Sequence, residues 1–174
     1  MNWEELLLVS IKTTSHDSKK EIIEIGVCNF ETKTGKKYDL VSFFVKPIYS
    51  RVTEHCTKIT GVTASDVSDA VSFFDMCNFL KENYDSKNKP WASYGNFAES
   101  IIRRQCFEQD IEFPFSDRFL NLRHVSALMF FTEGEVSLKD SLVNFGILAG
   151  NNTCEDDVLN SGIVLAKILN GINK

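Results

Sequence analysis

The amino-acid sequence predicts an α/β fold in which a mixed five-stranded sheet is flanked by helices. Two observations lead to this class. Three strand-like segments lie within roughly the first 47 residues and are joined by short polar turns, which is typical of an antiparallel meander. After residue 70, two short strand-like segments alternate with amphipathic helical segments, which is typical of parallel strands joined by crossovers.

The three N-terminal strands differ in their patterns. Residues 6–14, LLLVSIKTT, begin with a buried apolar run and continue as an alternation. In residues 21–31, EIIEIGVCNFE, Ile23, Ile25 and Val27 alternate with Glu24, Gly26 and Cys28, which predicts a half-buried strand. The third strand, YDLVSFFVKP, ends at Pro47. No period holds over residues 48–68, which are rich in turn-forming and helix-capping residues, so neither a helix nor a strand is predicted there.

The second half of the chain is predicted to alternate between strands and helices. A helix over about 70–85 would bury one face, formed by Phe73, Met76, Cys77, Leu80 and Tyr84. The segments that follow are a strand (WASYGN), a helix (FAESIIRRQCF), a strand that becomes a helix (FLNLRHVSALMFF), and two further helices (SLKDSLVNFGI and EDDVLNSGIVLAKILNGI). Gly171 is placed to end the last helix.

Composition limits the functional classes. A chain of 174 residues with 43% hydrophobic content is long enough for one well-filled core, so residues 1–174 are expected to form a single domain. The net charge of −5 disfavours a broad surface for nucleic acid. The sequence has neither a basic secretory leader nor a run of about 20 apolar residues, so we expect an intracellular protein, cytoplasmic or nuclear, that does not enter a membrane. Five scattered cysteines predict free thiols rather than a zinc site.

Eight ordered stretches resemble a known family. They are LLLVSIKTT, EIIEIGVCNFET, FFVKP, HCTKITGVT, SYGNFAESIIRRQC, FLNLRHV, SLKDSLVNFGI and EDDVLNSGIVLAKIL. In order and spacing they resemble the DEDD-type three-prime-to-five-prime exonucleases of the DnaQ-like, ribonuclease H-fold superfamily. Within that superfamily they resemble the small eukaryotic exoribonucleases that trim histone messenger and small RNAs. The resemblance covers residues 6 to 170 and implies a ribonuclease H-like exonuclease fold.

The same resemblance implies a degenerate catalytic site. The family ends its first strand with Asp-x-Glu, where this chain has Ser10 and Lys12. A further family aspartate corresponds to Ala98, and the His-x-x-x-x-Asp motif corresponds to Asn152 and Asp157. A register shifted by one residue would instead use Asn151 and Asp156, and it restores no histidine. Asp157 is therefore the single retained carboxylate, and we expect no catalytic residues, metal or cofactor.

Lys12 carries the strongest prediction at this site. An ammonium at a ligand position repels the divalent cations that the family's two-metal chemistry requires. We hypothesise that Lys12 pairs with Asp157 in place of the metal. Two simpler interpretations stay open, namely a solvated lysine at a strand end and an aspartate that favours a helix N-terminus. His16, His55 and His124 are expected to be surface or capping residues.

Three functional hypotheses follow. The first is a catalytically inactive exonuclease-like domain that serves as a protein-interaction or scaffold module, in an RNA-silencing or RNA-processing complex as the resemblance implies. The second is a non-catalytic module for single-stranded RNA, which predicts basic residues beside the groove, namely Arg103, Arg104, Lys19 and Lys20, or Lys36 and Lys37. The third is an active nuclease with relocated ligands at Asp17, Glu21 or Glu99.

The expected partners are proteins, and a homodimer or weak RNA binding are the alternatives. Adjacent aromatic residues bear on this, since Phe43 with Phe44 and Phe130 with Phe131 cannot all face one core. Some of them are therefore expected on a surface that a partner covers.

Overall fold

The structure, a computed structural model, describes residues 3–14, 19–148, 150 and 153–172. The described strands form one five-stranded sheet with the order β3-β2-β1-β4-β5. Their bounds are β1 Glu5–Thr13, β2 Ile22–Glu31, β3 Lys37–Phe44, β4 Trp91–Ser93 and β5 Phe119–Asn121. The first three strands pair antiparallel, whereas β1 with β4 and β4 with β5 pair parallel. This confirms the predicted mixed sheet.

Seven helices are formed by the described residues. Their bounds are α1 Glu54–Thr60, α2 Ala64–Ser68, α3 Phe73–Tyr84, α4 Phe97–Glu108, α5 Leu122–Met129, α6 Leu138–Asn144 and α7 Cys154–Ile172. Within the described part of the chain, none of them combines the length and apolar character needed to cross a membrane.

Helices cover both faces of the sheet. One core cluster joins β1 and β2 to α3 and α4, and a second joins the opposite face of the same strands to α7. As a result, β2 is buried along both faces from Ile22 to Phe30. The prediction that only one face of β2 is buried was wrong. Gly26 and Cys28 lie on the face that was expected to meet water, and they pack beneath α7.

The helix predictions succeeded where a helix is long. In α3, the five residues of the predicted apolar face are the buried ones. The short helices α1 and α2 were missed, because seven and five residues cannot establish a 3.6-residue period. Their caps were visible in the sequence, since Thr63 and Asp66 form a capping box at the start of α2. Gly171 does not end α7, which continues to Ile172.

The strand register positions the candidate site. Lys12 of β1 lies directly opposite Glu24 of β2, and Ser10 lies opposite Gly26. A Cβ atom at Gly26 would lie 2.7 Å from the carbonyl oxygen of Cys154, the first residue of α7. Glycine at this position therefore allows the N-terminus of α7 to approach the end of β1.

The prediction of free thiols is confirmed. All five cysteines are free and buried. Burial raises the pKa of the Cys28 thiol to about 12, despite the nearby Lys37 ammonium.

Candidate functional site

Three of the positions singled out in the sequence converge on one cleft of about 320 Å³. Ser10 reaches it from β1, Ala98 from the first turn of α4, and Asp157 from the first turn of α7. The rest of the wall includes Ser93, Tyr94, Phe97, Arg123, Leu138 and Ser161. Asn152 lies outside the described residues, and so does Asn151, its counterpart in the register shifted by one residue. His16 and the proposed relocated ligand Asp17 also lie outside them.

Asp157 is held in the cleft by a hydroxyl rather than by a cation. Ser10 Oγ donates a hydrogen bond to Asp157 Oδ2 at 3.4 Å. Burial raises the pKa of the Asp157 carboxyl above its usual value, although the Lys12 charge and the Ser10 hydroxyl act in the opposite direction.

The neighbouring Asp156 has a different role. Its side chain and Thr153 form reciprocal hydrogen bonds at the start of α7, with the Asp156 amide donating to Thr153 Oγ1 at 3.0 Å. Thr153 thus caps the helix with Asp156 as its hydrogen-bond partner, and Asp157 is the carboxylate that lines the cleft. Asp157 lines the same cleft as Ser10 and Ala98, and its assignment as the retained family carboxylate stays a prediction.

Lys12 is buried, with 8% of its side chain exposed. Its Nζ lies 3.3 Å from Glu24 Oε2 and donates a hydrogen bond to the carbonyl oxygen of Thr60 at 2.7 Å. The hypothesis of a direct pair with Asp157 was wrong in its partner, because the cross-strand register presents Glu24 to the ammonium. The interpretation as a solvated lysine was also wrong, since the side chain is enclosed.

Glu24 links this ion pair to α7. Its Oε1 accepts hydrogen bonds from Ser42 Oγ at 3.1 Å and from the Cys154 amide at 3.2 Å. One buried carboxylate, 7% exposed, therefore neutralises Lys12 and satisfies an otherwise unpaired amide at the helix N-terminus. The end of β1 and the start of α7 are joined through charge-assisted contacts instead of metal ligands.

Arg123 contributes the cation that faces the cleft. Its Nη1 pairs with Glu135 Oε2 at 2.5 Å, on the connection between α5 and α6. Gly95 adopts φ +97°, and its missing side chain leaves room for the guanidinium, whose Cζ lies 3.4 Å from where a Cβ would be. Asn121 holds this turn by accepting hydrogen bonds from the amides of Gly95 and Arg123.

The basic residues predicted to cluster beside the groove do not line it. Arg103 pairs with Glu99 and Asp117, and Arg104 donates to the carbonyl oxygen of Lys20. Lys20 lies beside one wall of the cleft, since its Nζ is 5.7 Å from the ring centroid of Phe97, which lines the cleft. Lys36 and Lys37 lie at the hairpin between β2 and β3, at the opposite end of β1 from Ser10.

The two described candidates for relocated ligands, Glu21 and Glu99, are engaged elsewhere. Glu21 is 3% exposed and accepts four hydrogen bonds, from the amides of Ile48, Tyr49 and Ser50 and from Ser50 Oγ. Glu99 pairs with Arg103 at 3.0 Å. These carboxylates hold loops and helices in place and do not converge on a common point.

Sequence reasoning missed Glu24 and Arg123. Glu24 could have been found by pairing β1 and β2 as a hairpin, which sets it opposite Lys12. Arg123 follows Asn121, a helix N-cap residue, and this pattern places Arg123 in the first turn of α5 beside the sheet edge. His55 and His124 are exposed, as predicted.

Comparison with known proteins identifies the family. The RNase T exonuclease model matches residues 12–146. The chain belongs to this exonuclease family. Its fold and relatives place it among the DEDD-type members.

Individual relatives are distant. The probable 3'-5' exonuclease KapD of Bacillus subtilis (strain 168) is 25% identical over 130 residues, which cover 70% of this chain and 62% of KapD. The nuclease domain of 3'hExo, a DEDDh family member bound to rAMP, superposes with a TM-score of 0.81 at 18% identity, covering 97% of this chain and 92% of that domain. Cell-death related nuclease 4 (CRN-4) superposes with a TM-score of 0.79 at 17% identity, covering 97% of this chain and 64% of the CRN-4 chain. These superpositions establish a ribonuclease H-like exonuclease fold.

The donor set in this cleft does not fit the metal chemistry of the family. Two divalent ions about 4 Å apart require several anionic oxygens to offset their charge. The described lining residues offer one carboxylate, Asp157, together with the neutral Ser10 and Ala98. Among the residues that the structure describes, no group of three or more His, Cys, Asp or Glu side chains is arranged to hold a metal ion.

Proposed function

We propose that this chain is a catalytically inactive exonuclease-like domain that acts as a protein-interaction or scaffold module in an RNA-silencing or RNA-processing assembly. The observation that carries the proposal is the Lys12 ammonium, buried at a family ligand position and paired with Glu24. The strand end thus presents an ammonium, already engaged with Glu24, where the family has a metal-binding carboxylate. The fold then provides a rigid platform without the chemistry.

The assembly is inferred from relatives alone. One structural neighbour is described as a 3'-exonuclease that recognises the histone mRNA stem-loop, and it superposes with a TM-score of 0.78 at 18% identity. A domain that retained such an architecture and lost its cleavage site could still bring proteins to RNA-processing machinery.

A nuclease assay tests the proposal. The purified chain is incubated with labelled single-stranded RNA and DNA in Mg²⁺ and in Mn²⁺, next to Asp157→Asn and an active DEDD exonuclease. We expect a ladder of products from the active enzyme and intact substrate from the chain. A ladder produced by the chain and abolished in Asp157→Asn would overturn the proposal, because it would locate a working metal site at the retained carboxylate.

A second candidate, binding of single-stranded RNA without cleavage, is favoured by one observation. Tyr94, Phe97 and Arg123 line the cleft, and bases stack on such side chains. The charge of the cleft opposes this function, since Arg123 is paired with Glu135 and Asp157 faces it as an anion when ionised. Tight binding in the same assay that weakens steeply with salt would support the candidate.

A further inference from the structure

Two of the five cysteines meet between neighbouring helices. Cys77 lies on the buried face of α3 and Cys106 in the last turn of α4, and both belong to the core cluster that joins these helices to the sheet. The Cys77 thiol donates a hydrogen bond to the Cys106 sulfur. Two sulfur atoms in direct contact already have the approach that a disulfide requires.

The remaining cysteines have different neighbours. Cys28 and Cys56 belong to two other core clusters. The thiols of Cys56 and Cys154 donate to the carbonyl oxygens of Thr13 and Glu24, each over a distance of 3.7 Å. These three cysteines therefore serve as internal controls for any chemistry of the pair.

Cys106 is the sulfur of the pair that reacts first. The hydrogen bond from Cys77 lowers the pKa of the Cys106 thiol, and the charges of Lys81 and Arg103 act in the same direction, against the effect of burial. The same hydrogen bond raises the pKa of Cys77, which keeps its proton. Because the thiolate is the nucleophile in thiol chemistry, attack on an external reagent begins at Cys106.

Cys106 also lies closer to solvent than its partner. It is 3% exposed, whereas Cys77 is fully buried. Its Sγ lies 3.9 Å from the carbonyl oxygen of Glu112, in the irregular connection between α4 and β5. The Glu112 side chain is 63% exposed and pairs with Lys81 at 3.6 Å and Lys87 at 2.9 Å. Solvent weakens such ion pairs, so a local displacement of this connection opens a path to Cys106 without opening the core.

We propose that Cys77 and Cys106 form a reversible disulfide that links α3 to α4, with a small disulfide such as oxidised glutathione as the oxidant. The Cys106 thiolate attacks one sulfur of the oxidant, forms a mixed disulfide and releases one small thiolate. Cys77 then loses its proton and attacks the Cys106 sulfur, which releases the second small thiolate. The two protons of the cysteines end on these leaving groups, so two protein thiols are oxidised and one small disulfide is reduced to two thiols.

The link has consequences at both ends of α4. The first turn of this helix contributes Phe97 and Ala98 to the wall of the cleft, and its last turn carries Cys106. Fixing α4 against α3 therefore fixes one wall of the cleft. The disulfide also closes a loop of about 30 residues in the unfolded chain, which stabilises the fold. This inference goes beyond the proposed function, because the redox reaction requires neither cleavage nor a partner protein.

The test exposes the full chain to glutathione mixtures of increasing oxidised fraction, quenches exchange with acid, and alkylates the unreduced protein in denaturant. We expect a peptide cross-linked through Cys77 and Cys106, with Cys28, Cys56 and Cys154 alkylated. Cys106→Ala should lose this cross-link, and the matched control Cys28→Ala should keep it. The Tm of the oxidised chain should rise by about 5–10 °C, and dithiothreitol should reverse the rise.

Several results would overturn the inference. These are alkylation of all five cysteines under the most oxidising mixture, a cross-link through a different pair, or glutathione that stays on Cys106 without transfer to Cys77. An equal loss of the cross-link in Cys28→Ala, or an oxidised chain that unfolds at the same or a lower temperature, would also contradict it. The wild-type peptide map decides the question even if a variant fails to fold. A nuclease assay that finds cleavage removes the proposed function and leaves this inference intact.

Discussion

Replacing Lys12 by methionine removes the ammonium and keeps most of the volume of the side chain. Glu24 would then hold a buried charge without its counterion, at 9% side-chain exposure. Removing one partner of a buried ion pair costs about 3–5 kcal/mol. Two hydrogen bonds, from Ser42 and from the Cys154 amide, still reach Glu24, so we expect the lower end, about 3 kcal/mol.

Urea denaturation followed by circular dichroism measures this cost. With an m-value of about 2–3 kcal/mol/M, the midpoint should fall by about 1–1.5 M urea. In thermal unfolding, the same loss lowers the Tm by about 6–12 °C.

The chain offers a matched control for this experiment. Lys33 pairs with Glu4 at 2.6 Å, closer than Lys12 to Glu24, but both side chains are more than half exposed. Lys33→Met should leave stability almost unchanged, because solvent screens the pair. A double variant, Lys12→Met with Glu24→Gln, should recover much of the lost stability, because glutamine carries no charge and its side-chain oxygen still accepts from Ser42 and from the Cys154 amide. The reasoning fails if Lys12→Met costs no more than Lys33→Met.

Three further predictions follow from the same region. Asp157→Asn should stabilise the protein at neutral pH, because the raised pKa of Asp157 means that the folded state disfavours the ionised carboxyl. This gain in stability should shrink as the pH falls to the ordinary pKa of 3.8, and urea denaturation at pH 3 and pH 7 measures it. Gly26→Ala should destabilise the fold strongly, since its Cβ would lie 2.7 Å from a backbone oxygen. The control Gly134→Ala, whose Cβ would lie in open space, should change the Tm little, and a large fall in Tm for both variants or for neither would contradict the clash. Burial raises the pKa of the Cys154 thiol, so this thiol should resist a thiol reagent at pH 8 until urea unfolds the chain. Mass spectrometry of partly labelled protein checks this, and modification of Cys154 before unfolding would contradict it.

Local pattern predicted much of this fold from sequence. Strands and long helices repeat their burial with a fixed period, so β1 and α3 could be placed without any tertiary information. Short helices such as α1 and the two-sided burial of β2 could not, because both depend on what packs against them.

At the cleft, the amino-acid sequence by itself determined which side chains stand at the positions of the family carboxylates, since Ser10 and Ala98 have no carboxylate whatever their surroundings. Only the tertiary structure decided which groups surround them. The partner of Lys12 is set by the β1–β2 register, and the exposure of Phe131 is set by the end of α5. Side-chain identity is local and can be read directly, whereas neighbours and solvent exposure arise when distant segments meet.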